Sequence, residues 1–310
     1  MMYFIQVVTY SGLMLLVYLL LLRDRPLHRF NRAYLLAVAV LPLVLPLLQL
    51  PQALRPQTES KMIAGILPEL VVGTANNTQA MTLPLWLTVS ALLYITVALV
   101  IAALKIKSYT QLRRLIKRSD KVQQDGYVLL KHTGYGPGSW GRYILLPDGD
   151  VDDAIIRHEQ QHIQLRHSRD MVFISIMQAV MWPNPFVHFI KKELLQVHEF
   201  QADAAVAIQP EAYSTLLLSS VFNTCTLPLT HSFIIHPIKR RIMMLHKNKS
   251  ASKTRGIIAA VCTLALAGGI ITLQSCEQKM ENEKKPLKQH IVTEGALAFT
   301  HKMPEPGYNL

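Results

Sequence analysis

The stretch IIRHEQQHIQLRHSRD, residues 155–170, places three histidines, a glutamate and an aspartate within a few helical turns. His158 and His162 are four residues apart, so on an α-helix their side chains lie on one face, one turn from each other. Glu159 stands beside His158 on a neighbouring face and completes an H-E-x-x-H pattern, which indicates a zinc-dependent hydrolase site. Because so short a pattern also arises by chance, the rest of the chain must supply support.

The composition indicates a membrane protein. Half of the 310 residues are hydrophobic, 17% are charged, and the formal net charge is +12. In a membrane protein, basic residues concentrate in cytoplasmic loops and near anionic lipid headgroups, so no direct nucleic-acid binding is expected. The three cysteines are far apart and form no C-x-x-C pair, which argues against a disulfide framework or a thiolate zinc site.

Four apolar stretches are long enough to cross a bilayer, which requires about 20 residues. They are residues 1–22, about 33–50, about 83–104 and about 256–273. The first has neither a basic n-region nor a small-residue cleavage site, so it is predicted to be a retained anchor.

The distribution of basic residues predicts the orientation. The loop after the first span carries four arginines and residues 105–121 carry seven basic residues, whereas residues 51–82 carry two. The positive-inside rule therefore predicts a multi-pass membrane protein with an extracytoplasmic N-terminus. The predicted organisation is three transmembrane helices in 1–104, a cytosolic domain at 105–255, a fourth transmembrane helix at 256–275 and a short extracytoplasmic tail at 276–310, which could contact a partner.

A pair of acidic residues lies downstream of the two histidines. A zinc hydrolase uses three protein ligands, so the two histidines leave one ligand unassigned. In ELLQVHEFQADAA, residues 193–205, Glu199 and Asp203 are again four residues apart on one face of a predicted helix. His198 is a rival for the third ligand.

Two residues after the motif receive other roles. His167 would point about 140° away from His162 on a continuous helix, which favours a structural or substrate-side role. Asp170 is predicted to cap a helix or pair with an arginine.

The pair of motifs resembles the membrane-bound gluzincin peptidases, which carry H-E-x-x-H followed by E-x-x-x-D. Within that group the chain resembles the BlaR/MecR-type antirepressor metallopeptidases. The agreement includes three early spans, a basic linker, the Asn184-Pro185 turn, the stretch KRRIMML at 239–245 and a late span. Residues 276–310 contain no S-x-x-K motif and are too few for the penicillin-binding sensor domain of those proteins, so direct β-lactam sensing is not expected.

The resemblance implies a role for each matching residue. His158, His162 and Glu199 would bind zinc, Glu159 would be the general base for the attacking water, and Asp203 would orient a ligand histidine. The implied fold is mainly α, with a small α+β gluzincin-like zinc domain in the cytosol. The implied function is a regulatory zinc metalloendopeptidase that cleaves a cytosolic protein, such as a transcriptional repressor, in signal transduction.

Two other functions remain open. One is a housekeeping membrane protease of the prenyl-protein or heat-shock type. The other is a non-catalytic signalling scaffold. The presence of Glu159 argues against it, because a site that only binds needs no general base.

Two further segments bear on the site. Residues 171–190 are apolar but contain Pro183 and Pro185, and a single crossing would separate His162 from Glu199. They are therefore predicted to form a helical hairpin that lies against or dips into the bilayer, in contact with membrane lipid. Residues 134–147, GYGPGSWGRYILLP, predict a loop leading into a strand, which either aligns an extended substrate or is an ordinary sheet edge.

Overall fold

The computed structural model describes residues 2–48, 84–149, 151–206, 210–224, 231–247, 254–270 and 272. Within them the chain is mainly helical with one small sheet, which confirms the mainly α prediction. Contacts divide the chain into two compact units. One unit, Met1–Pro42 with Leu67–Val261, carries every candidate site residue. The other, Leu43–Ile66 with Cys262–Leu310, contains the predicted tail, which lies outside the described residues.

Three of the described helices are long and apolar enough to cross a membrane. Helix α1 (Met2–Val17) continues as a π-helical turn to Leu22, α2 (His28–Val44) continues as a 3-10 turn to Leu47, and α3 spans Leu85–Arg118. The fourth predicted span falls on the helix Thr254–Ile270, which is shorter than these three. The count of four spans therefore stays a prediction.

Helix α3 runs through the predicted domain boundary at residue 104. Its sequence changes there from apolar to basic, but it contains no glycine or proline, and lysine, arginine and leucine are good helix formers. The helix ends at Arg118, and the first strand begins at Asp120. The third candidate span and the basic segment after it therefore form one helix, which leads directly into strand β1.

Four short strands form the sheet. They are β1 (Asp120–Gln124), β2 (Tyr127–Lys131), β3 (Gly138–Trp140) and β4 (Tyr143–Leu145). The spatial order is β1-β2-β4-β3, in which β2 and β4 are parallel and the other two pairs are antiparallel. Asp125 and Gly126 form the two-residue turn of the first hairpin, and Gly126 has a φ of 88°, as such turns require. Strand β3 lies at an edge of the sheet.

Both faces of the central strands β2 and β4 are covered, and this packing places the helix that carries His158 and His162. Val128 and Leu130 of β2 pack against Ile116 near the end of α3. The intervening Leu129 points to the opposite face, in the cluster against which α4 (Asp153–Gln164) packs. Because both faces are buried, β2 is apolar at successive positions. Helix α4 is consequently held beside the edge strand β3.

The stretch 171–190 folds back on itself. Helix α5 (His167–Val180) and helix α6 (Pro185–Val206) are joined by a turn in which the side-chain oxygen of Asn184 accepts a hydrogen bond from the backbone N–H of Phe186. Proline suits the first position of α6, since its missing N–H would have no helical partner there. The chain therefore returns toward α4 rather than continuing in one direction.

Helices α7 (Pro210–Thr224) and α8 (His231–Leu245) close the remaining side of the site. Tyr213 and Leu217 of α7 form a buried cluster with Val206, against which Leu245 of α8 packs. Helix α8 also packs directly on α6. These contacts bring a basic part of α8 beside the acidic residues of α6.

Candidate metal centre

Three side chains from two helices converge on one point. His158 and His162 of α4 and Glu199 of α6 each offer a ligand atom, and these atoms lie within 4.8 Å of one another. The two Nε2 atoms are 3.1 Å apart. The carboxylate oxygens of Glu199 lie 3.4 Å from Nε2 of His158 and 3.6 Å from Nε2 of His162. The two motifs predicted to share an ion therefore meet.

These separations fit a four-coordinate metal ion. With zinc–ligand bonds of about 2.0–2.2 Å, neighbouring ligand atoms of a tetrahedron are about 3.3–3.6 Å apart. The observed 3.1, 3.4 and 3.6 Å lie close to this edge length. Two imidazoles and a glutamate are also a known donor set of catalytic zinc sites, which keep a fourth position open. The described residues therefore contain a His/Glu site suited to zinc.

Glu159 lies in the cleft beside the three ligand side chains. The cleft has a volume of about 410 Å³, and edge strand β3 forms part of its wall. Burial raises the pKa of the Glu159 carboxyl, although a hydrogen bond with Ser139 on β3 works in the opposite direction. A raised pKa moves a carboxylate toward the working pH, where a general base is most effective.

Asp203 and Tyr213 fix the orientation of His158. Nδ1 of His158 lies 3.2 Å from Oδ1 of Asp203 and 3.0 Å from the hydroxyl of Tyr213, which donates a hydrogen bond to the same carboxylate at 3.0 Å. A carboxylate at Nδ1 keeps the proton on that nitrogen and leaves Nε2 free for a metal. Asp203 is thus placed where the predicted orienting role requires it.

One guanidinium pairs with both Glu199 and Asp203 of α6. Arg241 on α8 lies 3.0 Å from Oε2 of Glu199, and it donates to the two carboxylate oxygens of Asp203 at 2.8 and 2.6 Å. Burial would raise both carboxyl pKa values, but contacts with His158 and Arg241 outweigh it and lower each pKa to about 2. Both groups are therefore ionised at neutral pH, as a ligand and a hydrogen-bond acceptor must be.

The two ligand histidines have different proton affinities. Burial would lower the pKa of both. For His158, hydrogen bonds with Asp203 and Glu199 outweigh burial and raise the pKa to about 9. For His162, burial dominates and lowers the pKa to about 4. Because imidazole binds metal in its neutral form, we expect metal binding near neutral pH to release a proton from His158.

A break between helices α4 and α5 determines which side chain lies beside His162. Helix α4 ends at Gln164 and α5 begins at His167, with Arg166 in a left-handed conformation at φ 58°. The break turns His167 back, so its Nδ1 lies 2.7 Å from Nδ1 of His162 and its Nε2 lies 2.9 Å from the side-chain oxygen of Gln201. The prediction that His167 points about 140° away assumed a continuous helix and is wrong.

His198, the rival ligand, has a different partner. Its Nε2 lies 2.9 Å from Oδ2 of Asp170, and its ring stacks on that of His167 with centroids 4.0 Å apart and an interplanar angle of 10°. It is not one of the three side chains that converge. Asp170 does pair with an arginine, Arg32 of α2.

Sequence reasoning missed three side chains that support the site and misplaced a fourth, His167. Arg241 lies in KRRIMML, the stretch at 239–245 that fitted the family resemblance but received no role. Tyr213 and Gln201 have no charge or spacing that distinguishes them from other helical residues. The position of His167 depends on the break after α4, which a left-handed arginine, rather than a glycine, makes hard to recognise.

Replacing Asp203 by asparagine should lower the metal affinity by about 10- to 100-fold, the usual cost of losing a partner of a ligand histidine. The amide cannot provide the charge that holds both His158 and Arg241. Chelator competition measures the effect. Asp125→Asn, at the exposed turn between β1 and β2, makes the same chemical change away from the site and should match the wild type. Equal affinities for the two variants would remove Asp203 from the metal centre.

These observations define a class of protein that combines a His/Glu site able to hold a metal ion with helices long and apolar enough to span a membrane. Residues 136–245 match the family described as BlaR1 peptidase M56, and every site residue from His158 to Arg241 lies within the match. This match shows that the segment is similar to BlaR1-type peptidases and confirms the resemblance to the BlaR/MecR-type peptidases.

One similar protein is Regulatory protein BlaR1 of Staphylococcus aureus. The two sequences are 25% identical over 169 residues, which cover 48% of this chain and 29% of the relative. The chain thus spans less than a third of that protein. The relative supports a membrane regulatory peptidase, whereas its substrate and signalling role do not transfer directly.

Proposed function

We propose that the chain is a membrane-embedded zinc metalloendopeptidase that cleaves a cytosolic protein, such as a transcriptional repressor, in signal transduction. The observation that carries the proposal is the convergence of His158, His162 and Glu199 beside Glu159 in one cleft. The similarity to a regulatory protein supports the regulatory part. The repressor follows from the resemblance to antirepressor peptidases.

The residues present suit hydrolysis of a peptide bond. His158, His162 and Glu199 would hold zinc, which supplies Lewis acidity to polarise a carbonyl and acidify water. Glu159 accepts a proton from the attacking water and passes it to the leaving amine, so a carbon–oxygen bond forms as the carbon–nitrogen bond breaks. Arg241 keeps the carboxylate of Glu199 ionised.

The walls of the cleft suit an extended, partly apolar substrate segment. Strand β3 provides an edge along which a substrate can add by main-chain hydrogen bonds. The apolar part of the lining includes Trp140, Ile155, Met171, Leu195, Leu216 and Leu217. Main-chain pairing tolerates many sequences, so the apolar side chains would provide much of the selectivity.

We propose that the site faces the cytoplasm and that the α5–α6 hairpin enters the bilayer. The side-chain amide of Asn184 donates to Oγ of Ser11 at 2.9 Å, and Ser11 lies midway along the candidate span Met2–Leu22. A Cβ on the adjacent Gly12 would lie 2.9 Å from the ring of Phe186, so the glycine permits this close approach of α1 and α6. The hairpin turn therefore meets α1 near its middle.

A second candidate span reaches the same turn. The hydroxyl of Tyr94 on α3 donates to the carbonyl of Val180, and its ring centroid lies 5.9 Å from that of Trp182. Tyr94 precedes Lys105, the first basic residue of α3, by about 16 Å of helix, close to half of the roughly 30 Å hydrocarbon thickness. Contacts at half depth on two helices support a hairpin that dips to about the middle of the bilayer.

Depth measurements on single-cysteine variants test this hairpin. Val172, Ile176 and Val180 are 45%, 54% and 46% exposed, one turn apart on α5. With Cys225, Cys262 and Cys276 replaced by serine, fluorophores at these three positions should be quenched at increasing depth by lipid-attached quenchers. The first and last positions should differ by up to about 12 Å. Equal shallow depths would mean that the hairpin lies on the surface.

Comparing the protein N-termini of wild-type and Glu159→Gln cells tests the biological role. A regulatory peptidase should produce a small set of new N-termini in cytosolic proteins, present in wild-type cells and absent from the variant. Many cleaved membrane proteins would favour the housekeeping alternative. Identical profiles under conditions where the wild-type protein is present and holds zinc would contradict a peptidase function.

A further inference from the structure

Arg32 of α2 joins the two sides of the break between α4 and α5. Its Nε donates to Oδ2 of Asp170 at 2.6 Å, and one terminal nitrogen donates to Oδ1 of Asp170 at 3.2 Å and to the carbonyl of Leu165 at 2.9 Å. Leu165 lies immediately before the left-handed Arg166, and Asp170 lies in the first turn of α5. One guanidinium thus contacts the end of one helix and the start of the next.

Asp170 carries this restraint to a metal ligand. Its Oδ2 accepts a hydrogen bond from Nε2 of His198, whose ring stacks flat on that of His167. Nδ1 of His167 lies 2.7 Å from Nδ1 of His162, the side of that imidazole away from the other ligands. His167, His198 and Asp170 are all buried, where hydrogen bonds are electrostatically stronger than in water.

We propose that Arg32 is a positioning residue for the metal centre, which fixes the break between α4 and α5 and thereby holds His167 against His162. The inference rests on the proposed zinc site. A ligand histidine is oriented by the acceptor at its second nitrogen, and losing that acceptor typically costs about 10- to 100-fold in metal affinity. For His162 the acceptor is Nδ1 of His167. Arg32, which lies on a candidate membrane helix, fixes the position of His167.

The chemistry of the contact requires arginine. The planar guanidinium donates to the carboxylate and to the backbone carbonyl simultaneously, whereas a lysine ammonium is a compact charge without this fork. The side chains of Arg32 and Asp170 are 21% and 11% exposed, so the pair is more shielded from solvent than a surface ion pair. The geometry at His162 consequently depends on where α2 lies relative to α4.

A second ion pair between the N-terminal helices and the domain provides a matched control. Arg240 of α8 pairs with Asp24, in the turn between α1 and α2, and also with Glu193 of α6. Asp24→Asn removes a charge from this contact, and Glu193 still holds Arg240. Asp24 does not contact His162 or His167 directly. Arg29→Ala removes an exposed arginine from α2 itself, one turn before Arg32.

The test uses the full chain in lipid vesicles, with zinc affinity from chelator competition and the absorption spectrum of the cobalt-substituted protein. Arg32→Ala should lower the affinity by about 10- to 100-fold and change the cobalt spectrum. Arg32→Lys, which keeps the charge beside Asp170, should show a smaller change in both. Asp24→Asn and Arg29→Ala should retain the wild-type affinity and spectrum, even where Asp24→Asn lowers the unfolding temperature.

Wild-type affinity and spectrum in Arg32→Ala would overturn the positioning role. If Arg32→Ala does not fold, Arg32→Lys decides, and an unchanged affinity and spectrum in that variant would overturn it equally. A wild-type protein that binds no zinc, or a His162→Ala variant that binds zinc normally, would instead contradict the proposed metal site. The two failures are therefore distinguishable.

Discussion

Replacing Glu159 by glutamine should lower peptide-bond hydrolysis by about 10²- to 10⁴-fold, the range expected when a positioned general base is lost. The carboxyl is buried beside the three ligand side chains, and its raised pKa suits proton transfer near neutral pH. Glutamine has nearly the same shape but cannot accept the proton from water. The cleft should therefore remain intact while the reaction stops.

The measurement is cleavage of an unfolded protein or peptide library by the zinc-loaded chain in vesicles, with zinc content determined in parallel. Glu211→Gln makes the same chemical change at an exposed position of α7 and should leave both values unaltered. Full turnover in Glu159→Gln would assign the base to another residue. Loss of zinc together with activity would show that Glu159 acts structurally rather than as a base.

Replacing Glu199 by alanine should reduce zinc affinity by more than the roughly 100-fold expected for a residue that merely contacts a ligand. The change removes one of three converging ligands and leaves Arg241 beside two histidines without one of its carboxylates. An uncompensated positive charge near the site opposes cation binding as well. Both effects act in the same direction.

Calorimetric or chelator titration of the purified chain provides the test. Asp153→Ala, an exposed acidic residue in the first turn of α4, removes a negative charge outside the cleft and should keep full affinity. Zinc binding that survives in Glu199→Ala but is lost in His198→Ala would make His198 the third ligand. That outcome would require the ring of His198 to leave Asp170.

Helix geometry explains why much of the site could be predicted. A spacing of four residues places His158 and His162 on one face whatever surrounds the helix, and Glu199 and Asp203 repeat the spacing. Length and apolar composition likewise identify the candidate spans, since bilayer thickness sets the number of residues needed. The exact bounds of the helices were less predictable: α3, for example, continues through the change from apolar to basic sequence.

The helix break illustrates what local sequence did not reveal. Residues 155–170 have the composition of one continuous helix, and Arg166 offers no glycine to indicate a left-handed residue. The conformation is accompanied by distant contacts, in which Arg32 donates to the carbonyl of Leu165 and to Asp170. A local pattern cannot report a restraint that comes from another helix.

The sequence by itself determined the mainly helical fold, the apolar segments and the residue types of a His-His-Glu metal motif, because each depends on composition or on spacing along one helix. Only the tertiary structure decided which side chains complete the site. Tyr213, Arg241 and His167 reach it through a packed helix, an ion pair and a broken helix. Such contacts join residues that are distant in the chain, and they follow from how the helices pack rather than from the pattern within any one of them.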